Sequence, residues 1–278
     1  MNDQQKRQRL RELLAASKGV IAPGVTDAIC ARLVQDCGYE VAHLSGNAIH
    51  KNFCLPDRNL LTPTQIGQRI GQISEASDIP LIVDGGSICA ESLALTRAVK
   101  LYERAGAAAI RFEDALVNEY GAAAEELVIA PTALVVDRIK AAIDARRDPA
   151  LAIIARCDSR PVESLDHVGE RLAAYAAAGA DAVGVQLSDV DDFRRIGARP
   201  PAPLVTLWPK AQMSAFEFFQ LGFRIALTPS SLPLAAIAGA RAMLLDLKQS
   251  GTDRDYFAKQ NGFAETEAWY KKVGATPK

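Results

Sequence analysis

Two carboxylates and a guanidinium stand at the ends of apolar runs: Asp84 closes Pro80 to Val83, Glu113 closes Ala108 to Phe112, and Arg156 closes Leu151 to Ala155. A charge at the end of a buried strand is expensive to hide unless something answers it. Asp84 and Glu113 can share a divalent ion, and hard oxygen donors with few protein ligands suit magnesium, with manganese as the alternative. Ion pairs with Arg111 or Arg156 would answer the same charges without a metal. Arg156 offers a rigid fork for the carboxylate or phosphate of a small substrate, or else serves as a buried counter-ion to Asp84 or Glu113. Ser45-Gly46-Asn47 opens the loop after another apolar run, with a hydroxyl and close-lying backbone N–H groups of the kind that hold an anion. Asp114, Asp158, Gln186 and Thr206 to Trp208 end further runs.

Nucleophile chemistry has no comparable support. His43 lies inside an apolar run and reads as a satisfied core or barrel-wall residue. His50 follows in a long polar loop and reads either as a group that reaches the same region or as a solvated loop residue, and His167 falls on a helical stretch and reads as surface. Cys30, Cys37, Cys54, Cys89 and Cys157 show no paired spacing for zinc or redox work. They are expected as reduced, small, buried apolar residues.

The elements that must position these groups alternate. Strands are expected near Val20–Pro23, Glu40–Ser45, Pro80–Asp84, Ala107–Glu113, Leu151–Arg156, Ala182–Leu187, Pro203–Leu207 and Arg224–Thr228. Helical spacing separates them, as in Leu93–Arg104, Glu163–Ala178 and Thr132–Arg146. Gly38, Gly106, Gly179 and Gly222 each precede a strand, where a helix C-terminus often needs a left-handed residue. The pattern predicts a (β/α)8 TIM barrel in one domain spanning residues 1–278, with an open doubly wound sheet as the rival. In a barrel, the strand-end residues share one mouth. Tyr256, Phe257, Phe263, Trp269 and Tyr270 fall in a C-terminal helical extension, about residues 248–278, whose aromatics require burial against something, plausibly a second subunit.

Lys plus Arg total 32 against 33 for Asp plus Glu, which gives no field to hold nucleic acid or an acidic membrane surface. The polar N-terminus lacks a signal-peptide core and no run approaches the 18 apolar residues of a membrane span. The expectation is a cytoplasmic protein with a small-molecule partner.

An ordered set of motifs resembles the isocitrate lyase and phosphoenolpyruvate mutase superfamily: Pro23-Gly24-Val25-Thr26-Asp27-Ala28, Leu44-Ser45-Gly46, Leu55-Pro56-Asp57, Pro80-Leu81-Ile82-Val83-Asp84, Phe112-Glu113-Asp114 and Ile153-Ile154-Ala155-Arg156-Cys157-Asp158. The resemblance implies a barrel whose eighth helix is exchanged between subunits, in dimers or tetramers. It implies magnesium and small 2-oxo acids or their enolates. By resemblance, Ser45, Gly46 and Asn47 hold the substrate carboxylate, Asp84 binds the metal directly, Asp57 and Glu113 act through metal-bound waters, and Arg156 grips the substrate. Asp57, Glu113 and Arg156 would be the catalytic set.

Three departures qualify that picture. The usual D-A-D-x-G-Y-G is Asp84 to Ala90 here, with Gly86 at the second aspartate, which implies lower metal affinity. The K-R-C-G-H loop, which supplies a cysteine acid for methylisocitrate-type cleavage, is Val117 to Ala122. Thr26 replaces an aromatic, opening the pocket floor or making it more polar. The stretches Ala115–Gly121 and Asp148–Arg156 most resemble the oxaloacetate decarboxylase branch. The alternatives are a phosphonopyruvate-type P–C hydrolase or mutase, and a metabolite binder that is non-catalytic or metal-free.

Overall fold

The computed structural model describes residues 1–56, 60–86, 92–117, 127–260 and 262–273. These form two compact units, Met1–Ser230 and Ser231–Lys278. The first contains every strand: β1 (Val20–Pro23), β2 (Ala42–Leu44), β3 (Leu81–Gly86), β4 (Ala109–Glu113), β5 (Ala115–Val117), β6 (Val128–Ile129), β7 (Ala152–Cys157), β8 (Ala182–Val185), β9 (Leu204–Leu207) and β10 (Phe223–Thr228).

Eight of these make one parallel sheet in the order β1-β10-β9-β8-β7-β4-β3-β2. Its two edges meet, because Gly24 bridges His43 in parallel and the Val25 N–H donates to the His43 carbonyl at 2.9 Å. An open doubly wound sheet keeps its edges apart, so the ring is a (β/α)8 barrel. All eight expected strands are present, shifted by no more than a few residues at their ends. The antiparallel pair β5–β6 is an addition that the sequence reading missed. Each of its strands is too short for periodicity to register.

The helix-to-strand glycines behave as their positions demand. Gly106 has φ +101°, and a β-carbon there would sit 2.3 Å from Ser74 Oγ, so both conformation and space require glycine.

Alternation along the strands sends every second residue into the barrel. Its lower layers are Val20, Ala22, Ile82, Ala109, Ala152, Ile154, Val205 and Ile225, packed with Leu10, Leu13 and Leu14. Those leucines come from a helix, Asp3–Ala15, that seals the N-terminal end of the barrel. Buried Arg7 anchors this plug: Nε donates to Ala107 O at 3.0 Å, Nη2 to Glu103 O at 2.5 Å, and Nη1 pairs with Asp148 at 2.9 Å. Replacing Arg7 with methionine is expected to cost about 2–3 kcal/mol, because two buried carbonyls and one part-buried carboxylate lose their donor. The fall in the urea midpoint at constant slope measures it.

The second unit consists of helices Ser231–Ser250, Arg254–Ala258 and Phe263–Lys272, with no buried residue. Phe257 stacks on Phe263 at 4.2 Å, and the Tyr256 hydroxyl donates to Gly239 O at 3.0 Å. Leu234, Ile237, Leu244 and Leu245 remain exposed in a single chain. Among the described residues no helix is long and apolar enough to cross a membrane.

Candidate active site

The N-terminal end of the barrel is plugged by the Asp3–Ala15 helix, and one arc of the C-terminal end is charged. Asp84 and Arg111 are register partners on β3 and β4, and Glu113 and Arg156 are register partners on β4 and β7. The two-residue alternation puts Arg111 and Glu113 on the same face of β4. Asp84, Glu113 and Arg156, far apart in sequence, thus occupy three adjacent strands, with Glu113 and Arg156 in register and Asp84 opposite Arg111, two residues before Glu113.

Each charge has a counter-charge. Arg111 Nη2 donates to Asp84 Oδ2 at 3.2 Å, and Arg156 Nη2 pairs with Glu113 Oε2 at 2.8 Å. Arg156 also grips Asp158 bidentately, through Nε at 2.5 Å and through Nη2. Gly184, on β8 beside Arg156, is required by the neighbouring strand: a β-carbon there would lie 2.6 Å from the Val205 carbonyl, while meeting Arg156 Cγ only at an ordinary 3.5 Å. The ion pairs that the sequence allowed are therefore formed, with Asp158 as an added partner.

Burial would raise the Asp84 pKa, but Arg111 and Arg156 outweigh it and hold the carboxyl at about 2. Burial would likewise lower that of Arg156, yet Asp158 and Glu113 raise it well above the usual guanidinium range. Both groups stay charged at any working pH.

Ser45 does not open a loop. It caps a short helix, Gly46–Asn52, accepting from the Ala48 N–H at 3.5 Å, while the Gly46 N–H donates to Asp84 Oδ2 at 3.4 Å. Ser45 and Gly46 thus adjoin Asp84, and Asn47 follows on the first turn, half-buried. His50 rides the same helix, buried: its Nδ1 donates to Gly46 O at 2.7 Å and its Nε2 accepts from the Leu61 N–H at 3.3 Å. That imidazole braces the segment.

β3 ends in a bulge, with Gly86 at φ +55° registered against Phe112. An aspartate at 86, as in the resembled motif, would have to adopt a left-handed backbone. Asp57, Cys89 and the loop from Asn118 to Ala122 lie outside the described residues.

Asp114 is fully buried and structural: Oδ1 accepts from the Asp158 N–H at 2.8 Å and Oδ2 from the Tyr175 hydroxyl at 2.8 Å. Its carbonyl accepts from Ala130 at 2.8 Å, next to β6. It thereby sets the loop that aims Asp158 at Arg156. Thr206 turns its hydroxyl to the Val185 carbonyl, and Trp208 Nε1 donates to Met213 O at 2.9 Å.

Two expectations are corrected. His43 is fully buried in the barrel, yet neither ring nitrogen has a hydrogen-bond partner among the described residues, so it is a core histidine but not a satisfied one there. Of the described cysteines only Cys157 is buried; Cys37 and Cys54 are exposed because they lie in the turns that end surface helices. His167 is exposed, as expected.

The His43 ring has a measurable consequence. Burial, then the Arg111 charge, lower its pKa from 6.5 to about 3. Between those values the unfolded chain binds more protons, so stability falls as pH drops below about 6.5. The loss from pH 7 to pH 5 is expected to be about 1–2 kcal/mol larger in the wild type than in a His43→Leu variant. Paired urea titrations at the two pH values measure the difference.

Sequence reading named Arg111 only as a counter-ion, although the alternation from Glu113 already gave its inward direction. Among the described residues no group of three or more His, Cys, Asp and Glu side chains forms a metal cage. Magnesium bound with its substrate needs no such cage: one or two carboxylates suffice, with waters and substrate oxygens filling the shell. Asp84, with Glu113 on the adjacent strand, fits that demand.

The chain matches the family model described as phosphoenolpyruvate phosphomutase over residues 10–248. A 2-methylisocitrate lyase of Aeropyrum pernix is 32% identical over 271 residues, covering 95% of this chain and 86% of that protein. An oxaloacetate decarboxylase of Rhodopseudomonas palustris is 35% identical over 217 residues, covering 76% of this chain and 74% of that protein. The crystal structure of a phosphoenolpyruvate phosphomutase from Streptomyces platensis subsp. rosaceus superposes with a TM-score of 0.85 at 25% identity, covering 96% of this chain and 97% of that one. A continuous match over most of the barrel, joined to the same architecture, leads to one assignment: the chain belongs to the phosphoenolpyruvate phosphomutase family, within the superfamily of isocitrate lyases and phosphoenolpyruvate mutases.

Proposed function

We propose that this protein is a magnesium-dependent carbon–carbon lyase that decarboxylates a small 2-oxo dicarboxylic acid, with oxaloacetate as the first substrate to try. The observation that carries this reading is that Asp84, Glu113 and Arg156 stand on three adjacent strands at the C-terminal end of the barrel. Asp84 would bind the metal directly, and Glu113 and Asp57 through waters, with manganese able to substitute. When bound, the ion supplies Lewis acidity at the 2-oxo and carboxylate oxygens while carbon dioxide leaves.

The protein's own groups would do the rest. Ser45, Gly46 and Asn47 would hold the substrate carboxylate. Arg156, fixed by Asp158 and Glu113, would set its guanidinium against the charge that develops on the 2-oxo oxygen. This chemistry asks for no protein nucleophile, and the described part of the site offers none: burial, and then the Asp114 charge, push the Cys157 thiol pKa up.

The test is a panel of 2-oxo and 2-hydroxy dicarboxylic acids with and without magnesium. Carbon dioxide release from oxaloacetate that stops with a chelator is the expected result. Phosphate release from phosphonopyruvate would instead favour the P–C hydrolase reading, and heat stabilisation by an oxo acid without metal dependence would favour the binder. We also propose a homodimer or homotetramer in which the C-terminal helices are exchanged and the exposed Leu234, Ile237, Leu244 and Leu245 are covered.

A further inference from the structure

A cation arriving at Asp84 Oδ2 would compete with partners already in place, whereas among the described residues Oδ1 accepts only from the Gly86 N–H at 3.3 Å. Oδ2 is engaged by Arg111 Nη2 at 3.2 Å, and Arg111 is no surface residue that has folded inward. It is 2% exposed, starts from β4 and is the register partner of Asp84. Its Nε and Nη1 are buried with no hydrogen-bond partner among the described residues. An unsatisfied buried donor is costly, the more so on a charged group. Donors left unanswered inside the barrel mark a place where an acceptor is to arrive from outside.

We propose that Asp84 and Arg111 are an exchange pair: on loading, Asp84 trades Arg111 for the divalent cation, and the freed Arg111 guanidinium takes a carboxylate of the oxo acid. This rests on the reading of Asp84 as the metal ligand. It adds Arg111 as a second anion-binding residue beside Arg156, suited to a substrate with two carboxylates, and it makes the binding of the two ligands conditional on each other. Metal alone would strand a buried guanidinium, and an anion alone would strand a buried carboxylate; either is a severe penalty. Together they leave each charge answered, so each must raise the affinity of the other by the same factor.

Manganese binding followed by electron paramagnetic resonance, with and without oxalate as the probe anion, tests this without any turnover. Wild type should bind manganese weakly alone and much more tightly with oxalate. In Arg111→Met the competing cation is gone, so manganese alone should bind about 10-fold tighter or more, and the enhancement by oxalate should shrink by a similar factor. Arg111→Gln, which leaves a neutral amide beside Asp84, carries the same expectation should the methionine variant not fold. Unchanged or weaker manganese binding in these variants, with the oxalate enhancement intact, would overturn the exchange. Asp84→Asn separates the two levels: loss of manganese binding there keeps the metal reading even if the exchange fails. Wild-type manganese affinity in Asp84→Asn would sink both.

Discussion

Asparagine at position 84 is expected to lower kcat for oxaloacetate decarboxylation by about 10³-fold or more at saturating magnesium, since Lewis-acid stabilisation supplies several kcal/mol of the barrier reduction. The substitution is near-isosteric. Its carbonyl can still accept from Arg111 Nη2 and from the Gly46 N–H, the two contacts made by Asp84 Oδ2, and its amide nitrogen gives up the long 3.3 Å contact that Oδ1 accepts from the Gly86 N–H, so most of the β2–β3–β4 arc keeps its contacts. What disappears is the negative charge, which Arg111 and Arg156 now hold ionised down to about pH 2. Stopped assays of carbon dioxide evolution, with circular dichroism as the folding control, make the measurement. Turnover at the wild-type rate would contradict the role given to this carboxylate.

Arg156→Met is expected to act on both stability and chemistry. Glu113 and Asp158 are buried and directly paired with Arg156. Removing the guanidinium takes one paired cation away from two buried carboxylates, at a cost of about 3–5 kcal/mol. Arg156→Lys keeps a charge but loses the planar fork that meets Asp158 through two nitrogens. It should recover much of the stability and little of the activity, with kcat/KM still down about 10²-fold. Urea midpoints and kcat/KM on the two variants separate the effects. If both quantities recover together in the lysine variant, Arg156 is a structural counter-ion only.

The barrel was legible because buried parallel strands read as short continuous apolar runs, and its charged arc because three of those runs end abruptly in a charge. Asp84, Glu113 and Arg156 stood out for that reason, and their separation in the chain disappears once strand order is known. Other features depended on contacts that periodicity does not encode. The Asp3–Ala15 helix has a charged sequence, and only its packing reveals Leu10, Leu13 and Leu14 as the floor of the barrel. His43 was expected to be satisfied because buried polar groups usually are; it is an exception, neutral and beside Arg111. His50 was open to either reading until the helix that carries it supplied both of its partners. Asp158 and Asp114 were visible as acids at strand ends. That one grips Arg156 while the other fixes the loop holding it is a matter of a few ångströms of backbone.

Glycine at position 86 and the Arg111–Asp84 pair point the same way. The site has one fewer acid than the motif it resembles and one buried cation already in contact with the acid that remains. Such a site should hold metal loosely until an anionic substrate comes with it.

The most direct test of the account is a crystal structure of the protein with manganese and oxalate, read from the anomalous signal of the metal. The account predicts a single manganese peak about 2.1 Å from an Asp84 carboxylate oxygen, with oxalate completing the shell and Arg156 within hydrogen-bonding distance of it. A peak elsewhere, or oxalate bound at this end of the barrel with Asp84 still paired to Arg111 and no metal beside it, would contradict it.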